Sequence, residues 1–412
     1  MYQRPGTTGM INNNGYFGGV PSPDSHTRVS YHRKSGYLER VGGSFCGSLF
    51  GIGVVFAAVM LLFYNEGRAV QTAQSLDEGL SLCISVGGGS VVDFSLEGKL
   101  VHINNALRTN DVLSDETYGV SVQAVKLSRE VEMYQWVEHR HTREYDEGGV
   151  TRKETTYTYS MEWKSHVISS GTFDNPSMHH NPGSMAVQSK TFEAAVVNVG
   201  AFKLSAGLIS RLSDWRVLNP MYPARDPSVK KLDNRFYHGN DPYRPQVGDL
   251  RIQFKYVGLS GDPHPQLGGP DRVSIIARQS SSQLVAYQTR AGNELEMLYN
   301  GDKTKEEIFA AEHSFNNALT WGLRAAGWFI MFIGLSLITG IITAIVSFVP
   351  ILRDLVGLAV TVINLCLATT LSLTVIALGW IRYRPLLGCA LLAAALAPIL
   401  ISKFQNKKPM TR

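Results

Sequence analysis

Four stretches of this chain carry no charged side chain and are long enough, or nearly so, to cross a bilayer. A helix needs about 20 apolar residues to span the hydrocarbon core. The first stretch lies between Arg40 and Glu66, the second between Arg324 and Arg353, and the third between Asp354 and Arg382. The fourth, between Arg384 and Lys403, is the shortest, and its flanking basic side chains can snorkel to the interface. The pattern predicts an α+β membrane protein with one N-terminal and three C-terminal transmembrane helices around a large β-rich domain. The expected boundaries are 41–64, 325–349, 355–381 and 385–402 for the helices and 65–320 for the domain. A cleaved signal peptide does not fit the first stretch, which follows some forty residues, against about 15–30 for a whole signal peptide.

The net charge of +5 is unevenly placed. Residues 1–40 hold five basic and two acidic residues, and the tail 403–412 holds Lys403, Lys407, Lys408 and Arg412 with no acid. Basic residues beside spans match anionic headgroups, so the basic balance points to membrane lipids and not to nucleic acid. Basic residues near span ends also set orientation. Arg33, Lys34 and Arg40 before the first span, with Lys403, Lys407 and Lys408 after the last, predict cytosolic termini and a lumenal or external domain. Arg382 and Arg384 fall on the opposite side in this topology. Segment 1–40, rich in Gly, Asn, Ser and Pro, reads as a disordered tail. Short turns around Pro350–Asp354 and Arg382–Arg384 make the last three helices antiparallel neighbours. Gly334, Gly340, Gly357, Ala368, Gly388 and Ala393 would let them approach closely. Trp328 and Trp380 suit the interface.

Within the domain, Glu130–Glu138 and Thr155–Trp163 alternate as strands, and Asp146-Glu147-Gly148-Gly149 between them signals a turn, so a long hairpin is expected. Further strands are expected at Lys99–Ile103, Thr191–Val197, Asp249–Tyr256, Arg272–Ala277 and Gln283–Tyr287. Asn219–Pro245 reads as an irregular loop. Thr304-Lys305-Glu306-Glu307 fits a capping box. Ile308, Ala311, Phe315 and Leu319 then form a stripe that packs on the domain or lies at the membrane surface.

No catalytic constellation emerges. Val86–Ser90 lacks the Lys-Ser/Thr ending of a phosphate loop and reads as a turn. Gly258-Leu-Ser260-Gly261 lacks nucleophile-elbow spacing. His139 with His141, and His179 with His180, are read as strand and turn histidines before metal ligands. Cys83 stands alone outside the apolar stretches, so the domain forms no internal disulfide. The spans themselves carry no ionisable transport groups. Asn364 is read as an interhelical hydrogen-bonding residue before a pathway residue, and Thr370 as a packing position. These absences argue against an enzyme and against any cofactor or metal.

Several blocks resemble the LUMA (transmembrane protein forty-three) family. They are Asn65-Glu66-Gly67-Arg68-Ala69, Ser75–Ser81, Gly98–Ile103, Val131–Val137 with Trp136, Val247–Arg251, and Thr320–Trp328 with Trp321 and Arg324. The resemblance runs from about Tyr37 to Ile401 and leaves out residues 1–36. It implies a protein of the inner nuclear membrane and endoplasmic reticulum that self-associates and is associated with lamins and emerin. It also implies a scaffold that organises membrane protein complexes and contributes to nuclear envelope structure. An ion channel or channel regulator built from the C-terminal helices is the alternative. Thr370→Leu is expected to alter self-association and to leave insertion intact.

Overall fold

The structure is a computed structural model describing residues 25–33, 37–147, 150–264, 266–345, 350–383 and 385. The fold is α+β, with three helices among the described residues long and apolar enough to cross a membrane and a large β-rich region. The chain divides into two compact units: Met1–Lys34 with Val131–Gln188 and Tyr237–Ile252, and Ser35–Glu130 with Ser189–Phe236 and Gln253–Arg412.

The first unit is built on the expected hairpin, which is longer than the alternation suggested. Strands Ala124–Glu147 and Val150–Lys164 pair from Met133↔Lys164 to Glu147↔Val150. Val131, Met133 and Gln135 share its buried face. Gln135 is tolerated there because its amide donates to His166 O at 2.7 Å and accepts from Ile168 N at 2.8 Å.

A third strand, Ser25–Arg33, corrects the reading of 1–40 as disordered. It pairs antiparallel with the hairpin from Ser25↔Thr158 to Arg33↔Val150. Arg28 Nε lies 2.9 Å from Asp174 Oδ1, and His26 also reaches that carboxylate. Composition missed the strand because an open sheet edge can order a polar segment that could not fold alone. The pairing also bears on sidedness. A strand and its partner share a compartment, since hydrocarbon cannot satisfy an open sheet. Residues before the first helix here pair with residues after it, which a single crossing by that helix would separate.

In the second unit, five strands close into a ring: Leu100–Arg108, Arg272–Ser280, Gln283–Val285, Phe202–Leu204 and Asn198–Val199, with the last returning to the first. Closure removes sheet edges, and Val101, Ile103, Phe202, Val273, Ile275 and Leu284 are fully or almost fully buried. Val86–Ser90 is the expected turn. Its Gly89 carbonyl sits where a Cβ on Gly200 would come within 2.3 Å, so Gly200 has to be glycine. Asn219–Pro245 is not one irregular loop. It contains strands Lys230–Leu232 and Arg235–His238, joined through Asp233 at φ 51°. Asp and Asn tolerate that left-handed turn, which makes the tight hairpin possible.

The three long helices also belong to the second unit. They run Tyr37–Leu82, Lys305–Ile345 and Pro350–Tyr383. The second opens on the expected capping box: Glu307 N donates to Thr304 Oγ1 (3.2 Å), and Thr304 N donates to Glu307 Oε2 (2.8 Å). Pro350–Asp354 is the first turn of the third helix, correcting the loop expected there. Proline at a helix start has a suitable φ and needs no amide partner. Leu76, Ile308, Phe309, Leu295 and Met297 form one buried cluster, so the first two helices continue from the apolar bundle into the β-rich fold. The fourth apolar stretch, 385–402, and the tail 403–412 fall outside the described residues, apart from Pro385.

Candidate functional site

The first and second helices pack antiparallel through small residues. A Cβ on Gly51 would lie 2.7 Å from Gly334 O, and a Cβ on Gly327 would lie 2.5 Å from Leu62 Cδ2. Ser48 Oγ donates to Ile338 O at 2.9 Å. Such close approach is how helices associate where apolar burial offers no net drive.

Where the uncharged run of the first helix ends, this packing turns polar. Glu66 is 2 % exposed. Arg324 holds it with two bonds, Nε to Oε1 at 2.7 Å and Nη2 to Oε2 at 2.8 Å. Trp380 Nε1 adds a third at 2.8 Å, from the third helix. The Arg324 guanidinium lies over the Trp321 ring at 4.7 Å and the Trp380 ring at 5.7 Å. The carboxylate therefore fastens three helices at once, with the fork geometry that suits arginine.

One turn on, a second group repeats the theme without an acid. Arg68 donates to Asn316 Oδ1 (3.0 Å), Thr320 Oγ1 (2.9 Å) and Asn65 Oδ1 (3.3 Å). Asn65 Nδ2 donates to Thr320 O (3.1 Å), and Asn316 Nδ2 donates to Ala69 O (3.0 Å). Buried amides thus satisfy carbonyls across the interface.

The structure brings Asn65, Glu66, Arg68, Trp321 and Arg324 into one cluster. Gly67 adjoins it, because a Cβ there would be 2.7 Å from Tyr383 Cζ. Trp136 belongs to the other unit, where its backbone N–H donates to Asn181 Oδ1 (2.8 Å) and its ring meets His179 edge-on. Asn364 Nδ2 donates to Thr339 Oγ1 at 2.7 Å, joining the second and third helices. Thr370 is exposed and donates back to Cys366 O. Arg33 lies in the N-terminal strand and Arg40 in the first helix; Lys34, Lys403, Lys407 and Lys408 are outside the described residues. The sequence reading missed Asn316, named Thr320 only as the start of a family block, and placed Trp380 only as an interface residue. An Asn and a Thr four apart on an apolar helix were the available signal.

Several other chemistry-bearing groups already have partners. A cavity of about 230 Å³ is lined by Asp214 and Asp271, but Asp271 accepts from Arg216 and from Leu259 N (2.7 Å). His139 Nε2 faces Glu162 Oε1 (2.8 Å), and His179 stacks on Tyr159 at 3.7 Å. Hydrogen bonds from Lys164, Ser160 and His139 pull the Glu162 carboxyl down to about 2. Burial pushes the Cys83 thiol up to about 12, so it stays protonated. No group of three or more potential metal ligands occurs among the described residues.

A family profile described as Transmembrane protein 43 matches residues 133–385. The chain is 45% identical to Transmembrane protein 43 of Homo sapiens over 380 residues, covering 92% of this chain and 94% of that one. The chain belongs to the transmembrane protein 43 family. Mouse Transmembrane protein 43 is 43% identical over 389 residues, 94% of this chain and 97% of that one. The Drosophila melanogaster homolog of transmembrane protein 43 is 32% identical over 357 residues, covering 85% and 92%. No solved structure matches. In this member of the transmembrane protein 43 family the polar cluster draws on all three described long helices.

Proposed function

We propose that the chain is a multi-pass scaffold that organises protein complexes at the inner nuclear membrane and endoplasmic reticulum, with no reaction of its own. The observation that carries this reading is the Glu66–Arg324–Trp380 clamp. Its charged groups are consumed in holding helices together, which suits a rigid platform better than a site of turnover. Family membership supports the membrane setting. The reading includes a fourth span at 385–402, self-association, and lamins and emerin as partners on the nucleoplasmic side. Proximity labelling from a fusion after Arg412 tests it. Enrichment of lamins and emerin supports the scaffold, and a neighbourhood without lamina proteins overturns it. Crosslinked oligomers that do not change in Thr370→Leu would count against self-association through the third helix.

The reading places both termini in the cytosol or nucleoplasm, on the strength of the flanking basic residues. The Ser25–Arg33 pairing opposes this for the N-terminus. Glycan acceptor sites placed before Ser25 and beside Asp262 decide between them, since glycans are added only in the lumen. A glycan at the second site alone supports the scaffold topology and means the strand is unpaired in the bilayer. Glycans at both or at neither support the pairing.

A channel is the second reading. Asn364 Oδ1 and Ser372 Oγ, both buried on the third helix, have no hydrogen-bond partner among the described residues. Ion flux from purified protein in liposomes, abolished by Asn364→Leu, would move the assignment to a channel.

A further inference from the structure

A cleft of about 350 Å³ opens beside the clamp, lined by the first helix, the Ala291 turn and the end of the third helix. Among the described residues its charged lining consists of Arg68 and Arg382, with no carboxylate. Neither arginine forms an ion pair among the described residues. The hydrogen-bond partners of Arg68 are all neutral, and its Nε is buried with none. The guanidinium of Arg382 lies 5.6 Å from the Tyr383 ring centre. The adjacent acid, Glu66, is taken up by Arg324. Arg68 is half-buried and Arg382 exposed, and two guanidinium groups lining one cleft with no acid beside them among the described residues leave a positive field that attracts an anion.

The depth of the cleft says what kind of anion. The uncharged run of the first helix stops at Glu66 and that of the third at Arg382, so the cleft sits where hydrocarbon gives way to headgroups. Tyr64 on its apolar side is 71 % exposed, as interfacial aromatics are. Phe56, Met60 and Tyr64 follow one another at four-residue steps, so they form a row of neighbours along the first helix that leads up to Arg68, and Phe56 and Met60 are both more than half exposed. An apolar track therefore runs from the cleft along the first helix into the membrane.

We propose that this cleft binds the phosphate headgroup of an anionic membrane lipid. Arg68 and Arg382 supply the charge, and Phe56 and Met60 lie against an acyl chain. The proposal needs only the spans and not the scaffold reading. It is tested with the full chain in detergent, titrated with phosphatidic acid, phosphatidylcholine or inorganic phosphate and read by native mass spectrometry. Phosphatidic acid should be retained over phosphatidylcholine by about tenfold or more, and Arg382→Gln should lower its retention about tenfold, the worth of one charge-assisted contact. Arg382→Lys should keep most of it. Arg68 also ties two helices together, so Arg68→Gln is scored only where its unfolding midpoint equals the parent's. Equal retention of the two lipids, or unchanged retention in Arg382→Gln, overturns the proposal. So does full displacement of phosphatidic acid by millimolar inorganic phosphate, which would make a free anion the ligand. Retention that resists inorganic phosphate supports the lipid.

Discussion

Two acid–base groups in this molecule use nearly the same chemistry in opposite surroundings. Glu66 and Arg324 have side chains 2% and 14% exposed, and every carboxylate oxygen is bonded. Glu162 and Lys164, on the hairpin, are both 34% exposed, with His139 as a third member. Water and salt screen the second group, and forming it changes little. Removing one partner of the first leaves a charge stranded among helices. Burial, and not pairing as such, sets what each group is worth.

That comparison can be broken most sharply at Arg324. Arg324→Leu should cost about 3–5 kcal/mol of bundle stability, read as the unfolding midpoint in detergent. Arg324→Lys, which keeps the charge and loses the fork, should fall between. A midpoint unmoved by Arg324→Leu would place the clamp in water and erase the contrast. Next in size is Gly51→Leu, whose side chain would meet a backbone carbonyl with nowhere to move. A cost of about 1–3 kcal/mol is expected, along with slower crosslinking between cysteines introduced at 48 and 338.

His102 sharpens the same point with a single titrating group. It is buried, with Nε2 3.0 Å from Lys303 O and Nδ1 3.2 Å from Ser85 Oγ. Burial holds its pKa below the ordinary 6.5. The folded state thus prefers neutral His102 while the unfolded chain protonates near 6.5, so its contribution is full above that pH and declines as pH falls below it. His102→Gln should flatten that part of the stability–pH profile measured by thermal unfolding. Glu162→Gln should have the smallest effect, under about 1 kcal/mol at neutral pH. With the folded carboxyl at about 2 against an ordinary 4.5, the parent's small advantage is present above 4.5 and lost as pH falls toward 2.

What could be read from the sequence followed from local rules. The capping box at Thr304 and the alternation of the hairpin each depend on neighbours along the chain, and both were legible. The buried face of the second helix was not. The apolar stripe Ile308, Ala311, Phe315, Leu319 suggested one face, yet Phe315 is 65 % exposed while Asn316 and Thr320 are buried. Hydrophobic periodicity fails there because the first helix presents Asn65, Arg68 and the Ala69 carbonyl, which only polar partners satisfy. The Ser25–Arg33 strand was hidden for a related reason, since its order comes from a hairpin edge more than a hundred residues away. Of the candidate site, the family blocks marked Asn65, Glu66, Arg68, Trp321 and Arg324. Only the fold shows that Trp380 shares the same carboxylate.

The first helix is 46 residues without a break, about 69 Å long, more than twice a hydrocarbon core of about 30 Å. It works as a mast. Leu76, set in the cluster with Phe309 and Leu295, stands about 33 Å along the axis from Val54 in the middle of the apolar run. Bilayers that differ in thickness impose different tilts. A tilt of about 10° about that midpoint carries Leu76 roughly 6 Å sideways, and the closed ring of strands moves with it. The thickness of the surrounding membrane thereby becomes a position of the domain outside it.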